Sequence, residues 1–367
     1  MTKKIVIFLL LCGFACSNVQ AKHPANAEVR NLIFLIGDGM GLAHVSMLMI
    51  ENHYDSVAFN RAQNVALMTT YSNNNRVTDS AAAGTALASG HKTNNGTLGQ
   101  SPEGDPYESM MSKAEKQGMG TGIVVTSYLQ HATPGAFYAH VAHRGNAKAI
   151  SKNLLDSEID VVIGGGKGLL PQECATGESY IEAFKEKGYN VVYNLAETTG
   201  IDHGKLLALV ADKHLPDGKE RGDYLPNATK KALEVLTNNA TQSKKGFLLM
   251  VEGSSIDFAA HANKSEWLCD EMRDFDKTIA VAMDFADKNP GTLVVVAADH
   301  ETGGLSIPSN KNDFTEAESG VRYAYSTTSH TGSMVPVYLY GTGAEAVNGI
   351  VDNTELARRL MKLLQLK

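Results

Sequence analysis

The sequence predicts an α/β fold, a three-layer αβα sandwich with a central, mostly parallel sheet. Its apolar runs, such as 31–36 and 292–298, lack the polar alternation of half-exposed strands and therefore predict strands covered on both faces. Helical patterns separate these runs, an order that is typical of parallel strands joined by crossover helices. No long linker interrupts the alternation, so we predict a single domain over residues 22–367.

The predicted elements follow one another in regular order. We predict strands near residues 31–36, 65–68, 122–125, 160–163, 190–193, 247–251, 292–298 and 335–340. We predict helices near residues 42–51, 80–90, 107–117, 146–155, 178–187, 223–239, 265–288 and 354–365. Ligands of such folds bind beyond the carboxyl ends of the strands, so we look for functional residues at those ends.

The first 21 residues are predicted to be a signal peptide. Lys3 and Lys4 precede an apolar run over residues 5–11 that is too short to span a bilayer, and Ala21 ends a small-residue cleavage pattern. Lipid attachment at Cys16 is the alternative. Both interpretations predict an exported protein, periplasmic or secreted, with no transmembrane segment.

Composition narrows the class of partner. The 367 residues are 43% hydrophobic and 20% charged, as in ordinary globular proteins. The net charge of −7 argues against a nucleic-acid partner, because proteins that bind nucleic acids usually carry a basic face. Beyond the signal peptide the cysteines are Cys174 and Cys269, and the sequence leaves open whether they form a disulfide or are two separate thiols.

The helix predicted at 80–90 begins at Asp79-Ser80. Asp79 suits the N-cap position, where a carboxylate accepts a hydrogen bond from the first turn. Peptide N–H groups at a helix start attract anions, so a serine presented there could act as a nucleophile. Taken alone, however, such a stretch is more often a simple helix cap.

Three of the predicted strands lead directly into acidic residues. Asp38 follows the first strand, Glu252 follows the sixth, and Asp299-His300 follow the seventh. A carboxylate next to a buried strand is costly unless it has a partner. Three of them at one edge of a sheet therefore predict a bound cation.

A further set of ligand candidates lies close to Glu252 in the sequence. Asp257 and His261 are four residues apart, so on a helix they share one face, a spacing that suits two ligands of one zinc ion. By itself such a pair is more often a solvated surface pair, but the neighbouring strand-end Glu252 favours a metal. His330, just before the last predicted strand, completes a three-ligand set.

The segment 131–144 offers the remaining candidates. Thr133 precedes a proline, which predicts an extended conformation, and its hydroxyl is a hard oxygen ligand. Arg144 is predicted on a helical stretch, and its planar guanidinium suits two oxygens of a phosphate. A surface ion pair is the alternative interpretation of Arg144.

Taken together, these motifs resemble those of the alkaline phosphatase family. Six motifs occur in order over nearly the whole chain after the signal peptide, at compatible spacing. They are Asp38, Asp79-Ser80-Ala81, Ala132-Thr133-Pro134 with Arg144, Val251-Glu252-Gly253 through His261, Asp299-His300, and His330-Thr331-Gly332. The resemblance implies a metal-dependent phosphomonoesterase that acts on small phosphate monoesters through a covalent intermediate on Ser80.

The resemblance also implies two Zn²⁺ ions and one Mg²⁺ ion per chain. The implied ligands are Asp257, His261 and His330 for one zinc ion, Asp38, Asp299 and His300 for the other, and Asp38, Thr133 and Glu252 for magnesium. Arg144 would hold phosphoryl oxygens, and Asp79 would orient Arg144 or the serine loop. Ser80 would contact the second zinc ion.

Two departures from the family pattern carry expectations of their own. His131 and Phe258 stand where some bacterial members have Asp and Lys around the magnesium ion and the phosphate, which predicts weaker magnesium binding and a changed alkaline rate profile. About 29 residues separate His300 from His330, too few for a large crown insertion, so we expect an open pocket. The resemblance leaves a homodimer open.

Two other functions compete with this interpretation. The first is a phosphodiesterase or sulfatase on the same metal core. The sequence lacks the Cys/Ser-x-Pro-x-Arg segment of sulfatases, and related phosphodiesterases typically use threonine as the nucleophile. The second is a non-catalytic exported protein that binds metal or phosphate, which would keep the ligands without needing Ser80.

Overall fold

The computed structural model describes residues 28–171, 173, 174, 177–243, 245–311 and 320–367. The predicted signal peptide at 1–21, including Cys16, lies outside the described residues. Within the described ranges, no helix combines the length and the apolar character that crossing a membrane requires.

Ten strands form one large sheet, and four short strands form two small ladders beside it. The strands are β1 (Asn31–Gly37), β2 (Asn64–Thr69), β3 (Gly120–Tyr128), β4 (Val161–Gly165), β5 (Tyr189–Val192), β6 (Lys205–Ala211), β7 (Phe247–Gly253), β8 (Thr292–Ala297), β9 (Glu301–Thr302), β10 (Leu305–Ser306), β11 (Ala324–Tyr325), β12 (His330–Thr331), β13 (Val335–Gly341) and β14 (Gly349–Asp352). The small ladders pair β9 with β12 and β10 with β11.

The large sheet is mostly parallel, as predicted. Its strand order is β14-β2-β13-β8-β1-β7-β3-β4-β6-β5. Strand β13 runs antiparallel to its neighbours β2 and β8, whereas the other adjacent pairs are parallel. Parallel neighbours need crossover connections, and helices supply most of them.

The helices surround this sheet. The α-helices are α1 (Leu42–Glu51), α2 (Ser80–Ser89), α3 (Met110–Lys116), α4 (Ala132–Gly135), α5 (Ala147–Asp156), α6 (Tyr180–Glu186), α7 (Gly218–Arg221), α8 (Tyr224–Ser243), α9 (Ser255–His261), α10 (Ser265–Lys288) and α11 (Asn353–Leu363). Short 3₁₀ helices span Ala58–Arg61, Lys167–Leu169, Leu195–Thr198 and Ala344–Ala346.

The core lies on both faces of the central strands. In β1, every residue from Leu32 to Ile36 is fully buried, so its side chains on either face meet packed helices. On α10, Leu268, Met272, Phe275 and Ile279 recur every three or four residues and are also fully buried. Each such side chain contributes about 1.5–3 kcal/mol by leaving water.

Strand register brings three strand ends to the same level. Ile36 in β1 pairs with Glu252 in β7 and with Ala297 in β8. The three strands are parallel, so their carboxyl ends open at one edge of the sheet. The residues that follow them, including Asp38 and Asp299, therefore meet there.

The predicted strands and helices match observed ones, but the sequence pattern missed β6 and β14 of the large sheet and the four two-residue strands of the small ladders. Strand β6 has the sequence KLLALVA, whose leucines and alanines suit a buried helix as well as a buried strand. Strand β14 has four residues, of which Ile350 is exposed, so it shows no continuous apolar run.

Two local predictions were wrong. Thr133 lies inside the one-turn helix α4 and is not extended, because Pro134 occupies the first turn, where a missing N–H costs nothing. Arg144 lies in a turn before α5, and Asn146 caps that helix by accepting a hydrogen bond from the Ala149 N–H.

Cys174 and Cys269 are both free thiols.

Candidate active site

The carboxyl ends of β1, β7 and β8 gather four buried acids. Asp38, Glu252 and Asp299 are fully buried, and Asp257 on α9 is 5% exposed. Strand pairing accounts for the first three, and α9 follows β7 after one residue, which returns Asp257 to the same edge. Burying four carboxylates together is unfavourable unless positive charge meets them.

Side chains that can bind metal form three groups at this edge. Within each group, the potential ligand atoms lie within 4.8 Å of one another. The groups are Asp257 with His261 and His330, Asp38 with Asp299 and His300, and Asp38 with His131 and Glu252. Asp38 belongs to two of them, so the second and third groups share a carboxylate.

The first group joins α9 to β12. His261 Nε2 lies 3.3 Å from Asp257 Oδ2 and 3.1 Å from His330 Nε2. The Nδ1 atoms of His261 and His330 donate to the carbonyl oxygens of Thr328 and Thr78, at 2.7 and 2.8 Å. A carbonyl can only accept, so both Nδ1 atoms carry a proton and both Nε2 atoms face Asp257.

The second group surrounds the Nε2 atom of His300. This atom lies 3.2 Å from Asp299 Oδ2, 3.5 Å from Asp38 Oδ1 and 3.2 Å from Ser80 Oγ. The other Asp299 oxygen accepts the N–H groups of Gly39 and His300, both at 3.0 Å. Those two bonds fix the carboxylate, so Oδ2 is the oxygen that faces His300 Nε2.

The third group adds two residues that were predicted from different motifs. Glu252 and His131 both approach Asp38, and the Thr133 hydroxyl is fully buried on α4. His131 therefore stands in a group that would otherwise offer oxygen atoms alone. Ser127 also reaches this group, since its hydroxyl donates to Glu252 Oε2 at 3.4 Å.

Several buried oxygens of the site have no hydrogen-bond partner among the described residues. They are both carboxylate oxygens of Asp38, Oε1 of Glu252, Oδ2 of Asp299 and the hydroxyl of Thr133. Buried oxygens are almost always satisfied, so unpaired ones that converge are best explained by cations. The imidazole-rich first group suits zinc, and the oxygen-rich third group suits a harder ion.

Asp38, Glu252 and Asp257 have pKa values far from the ordinary range of a carboxyl group. Burial, reinforced by the charge of Asp299, raises the pKa of Asp38 well above its usual value. Burial likewise raises the pKa of Glu252 to about 8. Asp257 behaves oppositely: burial opposes its ionisation, but the hydrogen bond from His261 and the nearby histidine charges together bring its pKa well below the ordinary value.

The histidines also differ from one another. Burial lowers the pKa of His300 to about 4, and burial with the charge of Arg144 lowers that of His131 to about 3. The hydrogen bond with Asp257 raises the pKa of His261 to about 8. His131 and His300 are therefore neutral near pH 7, the form in which imidazole binds a metal.

Ser80 is the first residue of α2. Asp79 is the N-cap, and its Oδ1 accepts the N–H of Ala82 at 3.0 Å, as the sequence predicted for this stretch. The helix then runs through small residues to Gly90, whose left-handed conformation (φ 77°) ends it. Ser80 is 2% exposed, so its hydroxyl faces the site beneath the helix start.

Arg144 reaches the site across Asp79. Its Nη1 donates to Asp79 Oδ2 at 3.1 Å, and the same oxygen accepts the Gly96 N–H at 3.0 Å. The Nη2 of Arg144 lies 3.5 Å from His131 Nε2. The pair of Arg144 with Asp79 is partly exposed and joins the guanidinium to the residue that precedes Ser80, so Asp79 both caps α2 and holds Arg144.

Phe258 belongs to an aromatic group beside the third metal group. Its ring packs edge-on against His131, with centroids 5.8 Å apart, and against His214, with centroids 4.6 Å apart. Tyr128 completes the group, 4.7 Å from His214. His214 lies in the loop after β6, a strand that the sequence pattern missed, so its position could not be foreseen.

Thr302 is another site residue that sequence reasoning missed. Its hydroxyl donates to Asp257 Oδ1 at 2.6 Å and lies 3.2 Å from His300 Nδ1. Its position two residues beyond His300 was the available signal, because alternate residues of an extended segment point the same way.

Comparison with known proteins gives a consistent result. The family model for alkaline phosphatase matches residues 29–320. Alkaline phosphatase 4 of Bacillus subtilis is 32% identical, over 94% of this chain and 91% of that protein. The alkaline phosphatase of the Antarctic bacterium TAB5 is 32% identical with a TM-score of 0.86, over 93% of this chain and 99% of that one.

A variant of the same Antarctic enzyme, with glutamate in place of a histidine, has magnesium bound. It is 30% identical to this chain with a TM-score of 0.84, over 93% of this chain and 99% of that one. The family predicted from the motifs is thus confirmed by the model match, by a curated relative and by the fold. The chain belongs to the alkaline phosphatase family.

Proposed function

We propose that this protein hydrolyses phosphate monoesters, releasing inorganic phosphate and an alcohol through a phosphoserine intermediate on Ser80. The observation that carries this proposal is the position of Ser80 Oγ, 3.2 Å from His300 Nε2 at the start of α2. The nucleophile candidate is thus adjacent to a cluster of unpaired carboxylate oxygens and to a helix N-terminus, which favours an anion.

The proposed cofactors are two Zn²⁺ ions and one Mg²⁺ ion per chain. The first and second groups would hold the zinc ions, and Asp38, Thr133 and Glu252 would hold magnesium, in agreement with the unpaired oxygens and with the preferences of each ion. When bound, such ions supply positive charge that stabilises anionic oxygens.

His131 supports weaker magnesium binding, because imidazole is a poor ligand for magnesium. An isothermal titration with Mg²⁺ should therefore show tighter binding after His131→Asp. Equal magnesium affinity in the two forms would contradict this proposal.

The chain's own residues perform the chemistry as follows. Ser80 gives its hydroxyl proton to solvent and its Oγ attacks phosphorus, the ester P–O bond breaks, and the departing alkoxide takes a proton from solvent to leave as the alcohol. Water then attacks the phosphorus of the phosphoserine and the P–Oγ bond breaks; one proton of that water passes to Ser80 Oγ, which regenerates the hydroxyl and releases inorganic phosphate. Arg144, oriented by Asp79, binds two phosphoryl oxygens throughout, so that positioning and charge supply most of the rate enhancement.

We further propose that the domain spans residues 22–367 and that residues 1–21 direct export, with release into the periplasm or medium. Lipid attachment at Cys16 is the alternative. The charge pattern and the apolar run of the N-terminus support export. Mass spectrometry of the exported protein tests this, since a mature N-terminus other than Lys22 or a lipidated Cys16 would contradict export with cleavage after Ala21.

The experiment that tests the function is hydrolysis of a chromogenic phosphate monoester. The metal-loaded wild type should turn it over, a chelator should abolish the activity, and Ser80→Ala should lower kcat at least about 10³-fold, as for other nucleophiles that act within a catalytic unit. The matched control is Ser89→Ala, which removes another buried serine of α2, one that donates to the Thr85 carbonyl.

Three outcomes would contradict the proposal. Full activity in Ser80→Ala would exclude the covalent route. Faster turnover of a diester than of the monoester, measured side by side, would favour a phosphodiesterase. Metal binding without any turnover would favour a storage protein.

A further inference from the structure

The first two metal groups are joined by the side chain of Thr302, which is a member of neither. Its Oγ1 atom lies 2.6 Å from Asp257 Oδ1, in the first group, and 3.2 Å from His300 Nδ1, in the second. Thr302 is fully buried, so water does not compete for either contact.

The direction of both hydrogen bonds follows from the donors present. An ionised carboxylate can only accept, so Thr302 must give its single hydroxyl proton to Asp257. Its lone pairs then accept the proton on His300 Nδ1. That assignment leaves the lone pair of His300 on Nε2, the atom that faces Asp38, Asp299 and Ser80.

The backbone holds this hydroxyl in place. The Thr302 N–H donates to the Gly39 carbonyl at 3.1 Å, and Thr302 pairs with His330 in the β9–β12 ladder. Gly39 has a left-handed conformation (φ 71°), and a Cβ atom there would lie 2.7 Å from Thr302 Oγ1 and 2.8 Å from Asp257 Oδ1. Glycine at position 39 is thus required by the close approach of the hydroxyl as well as by the turn.

We propose that Thr302 is a positioning residue that orients one ligand of each zinc site and so sets the affinity of both sites together. This inference rests on the proposed metal-dependent function. A hydroxyl between an aspartate ligand and a histidine ligand fixes the rotamer of the first and the tautomer of the second. Outer-shell partners of this kind are typically worth about 10–100-fold in metal affinity.

The test is zinc titration of the metal-free protein against a competing chromophoric chelator. Thr302→Val keeps the shape and removes the hydroxyl, so it should weaken both tight zinc equivalents by about 10–100-fold. Thr302→Ser keeps the hydroxyl and should stay within about threefold of the wild type at both sites, far less than the loss of an outer-shell partner.

Thr331→Val is the matched control, because it removes a hydroxyl from the same two-stranded ladder. That hydroxyl donates to Glu301, which belongs to none of the three metal groups. Both zinc affinities should therefore stay close to the wild-type values. Far-UV circular dichroism of each metal-free variant checks the fold, and Thr302→Ala replaces Thr302→Val if the valine variant does not fold.

The result that overturns the proposal is unchanged zinc affinity in the hydroxyl-free variant, or weakening of one site alone. An equal loss in Thr331→Val would also overturn it, since the effect would then belong to the ladder. Zinc binding is measured without substrate. A wild type that binds two zinc ions but hydrolyses no monoester therefore contradicts the proposed function while the Thr302 comparison still decides this inference.

Discussion

Two buried acidic clusters in this protein differ in whether a basic side chain balances their negative charge. One is the active site around Asp38. The other lies between α7 and α10, where Arg221 binds both Glu271 and Asp274, with side chains no more than 5% exposed. There, the Trp267 indole and the Gly218 N–H also donate to Glu271, both at 2.8 Å.

The difference separates a structural cluster from a functional one. Arg221 gives the second cluster its own cation, and Asp274 Oδ1 is the single carboxylate oxygen there without a partner in the described chain. At the active site, unpaired oxygens converge, and burial with mutual repulsion raises the pKa of Asp38. A fold that keeps such an unfavourable arrangement does so for function, because the cost is offset when a cation binds.

The largest effect is expected from breaking the satisfied cluster. Arg221→Ala leaves two acids buried without a cation, so the free energy of unfolding should fall by about 3–5 kcal/mol in urea denaturation. Lys277→Ala is the control on the same helix. It removes an exposed pair with Asp223 and should cost less than about 1 kcal/mol. Similar losses in the two variants would show that Arg221 is no more important than a surface charge.

The second prediction changes the unsatisfied cluster. Asp38→Asn removes a carboxylate shared by two metal groups, so monoester turnover in the presence of metal should fall more than about 100-fold, beyond the usual cost of an outer-shell partner. In metal-free protein the same change relieves repulsion and should raise the melting temperature. If the metal-free variant melts below the metal-free wild type, the contrast between the clusters is wrong.

The smallest effect concerns a half-buried acid outside both clusters. Asp276 on α10 accepts the Ala58 N–H at 2.8 Å, and burial raises its pKa to about 6. The folded-state pKa exceeds the unfolded value of about 3.9, so its contribution to stability is present below pH 4 and is lost as the pH rises through 6.

Asp276→Asn keeps an acceptor for Ala58 and removes the titration. Its stability relative to the wild type should therefore rise by about 2–3 kcal/mol between pH 4 and pH 8, because each pKa unit corresponds to about 1.4 kcal/mol. Urea denaturation of both proteins at the two pH values measures this. A stability difference that does not change with pH would show that Asp276 ionises in the folded protein as it does in the unfolded chain.

Much of the fold could be predicted because its central strands are apolar on both faces. Runs such as FLLMV in β7 have no polar alternation, so strand and burial follow together. Strand β6 was not predicted, because its leucine and alanine residues suit a buried strand and a buried helix equally well. Thr133 was assigned wrongly because the residue preceding a proline is usually extended, but α4 begins one residue earlier and places Pro134 in its first turn.

The residues of the candidate site could be predicted from the sequence where a metal ligand directly follows a strand or lies at helical spacing from another ligand. Asp38 and Asp257 are of this kind. The contacts between groups were not accessible, since they depend on register and loop path. Nothing in the local sequence pairs Thr302 with His330 or brings His214 against Phe258.

The insertion of β1 between β7 and β8 has a consequence for biosynthesis. Gly39 and Asp299, which are hydrogen-bonded in the site, are 260 positions apart, and Ser80 and His300 are 220 apart. Closing such long loops is entropically costly and makes folding slow. A chain still emerging from the ribosome with its first 250 residues made has β1 without β8 and Ser80 without His300. Neither a nascent chain of that length nor an N-terminal proteolytic fragment can therefore assemble the site.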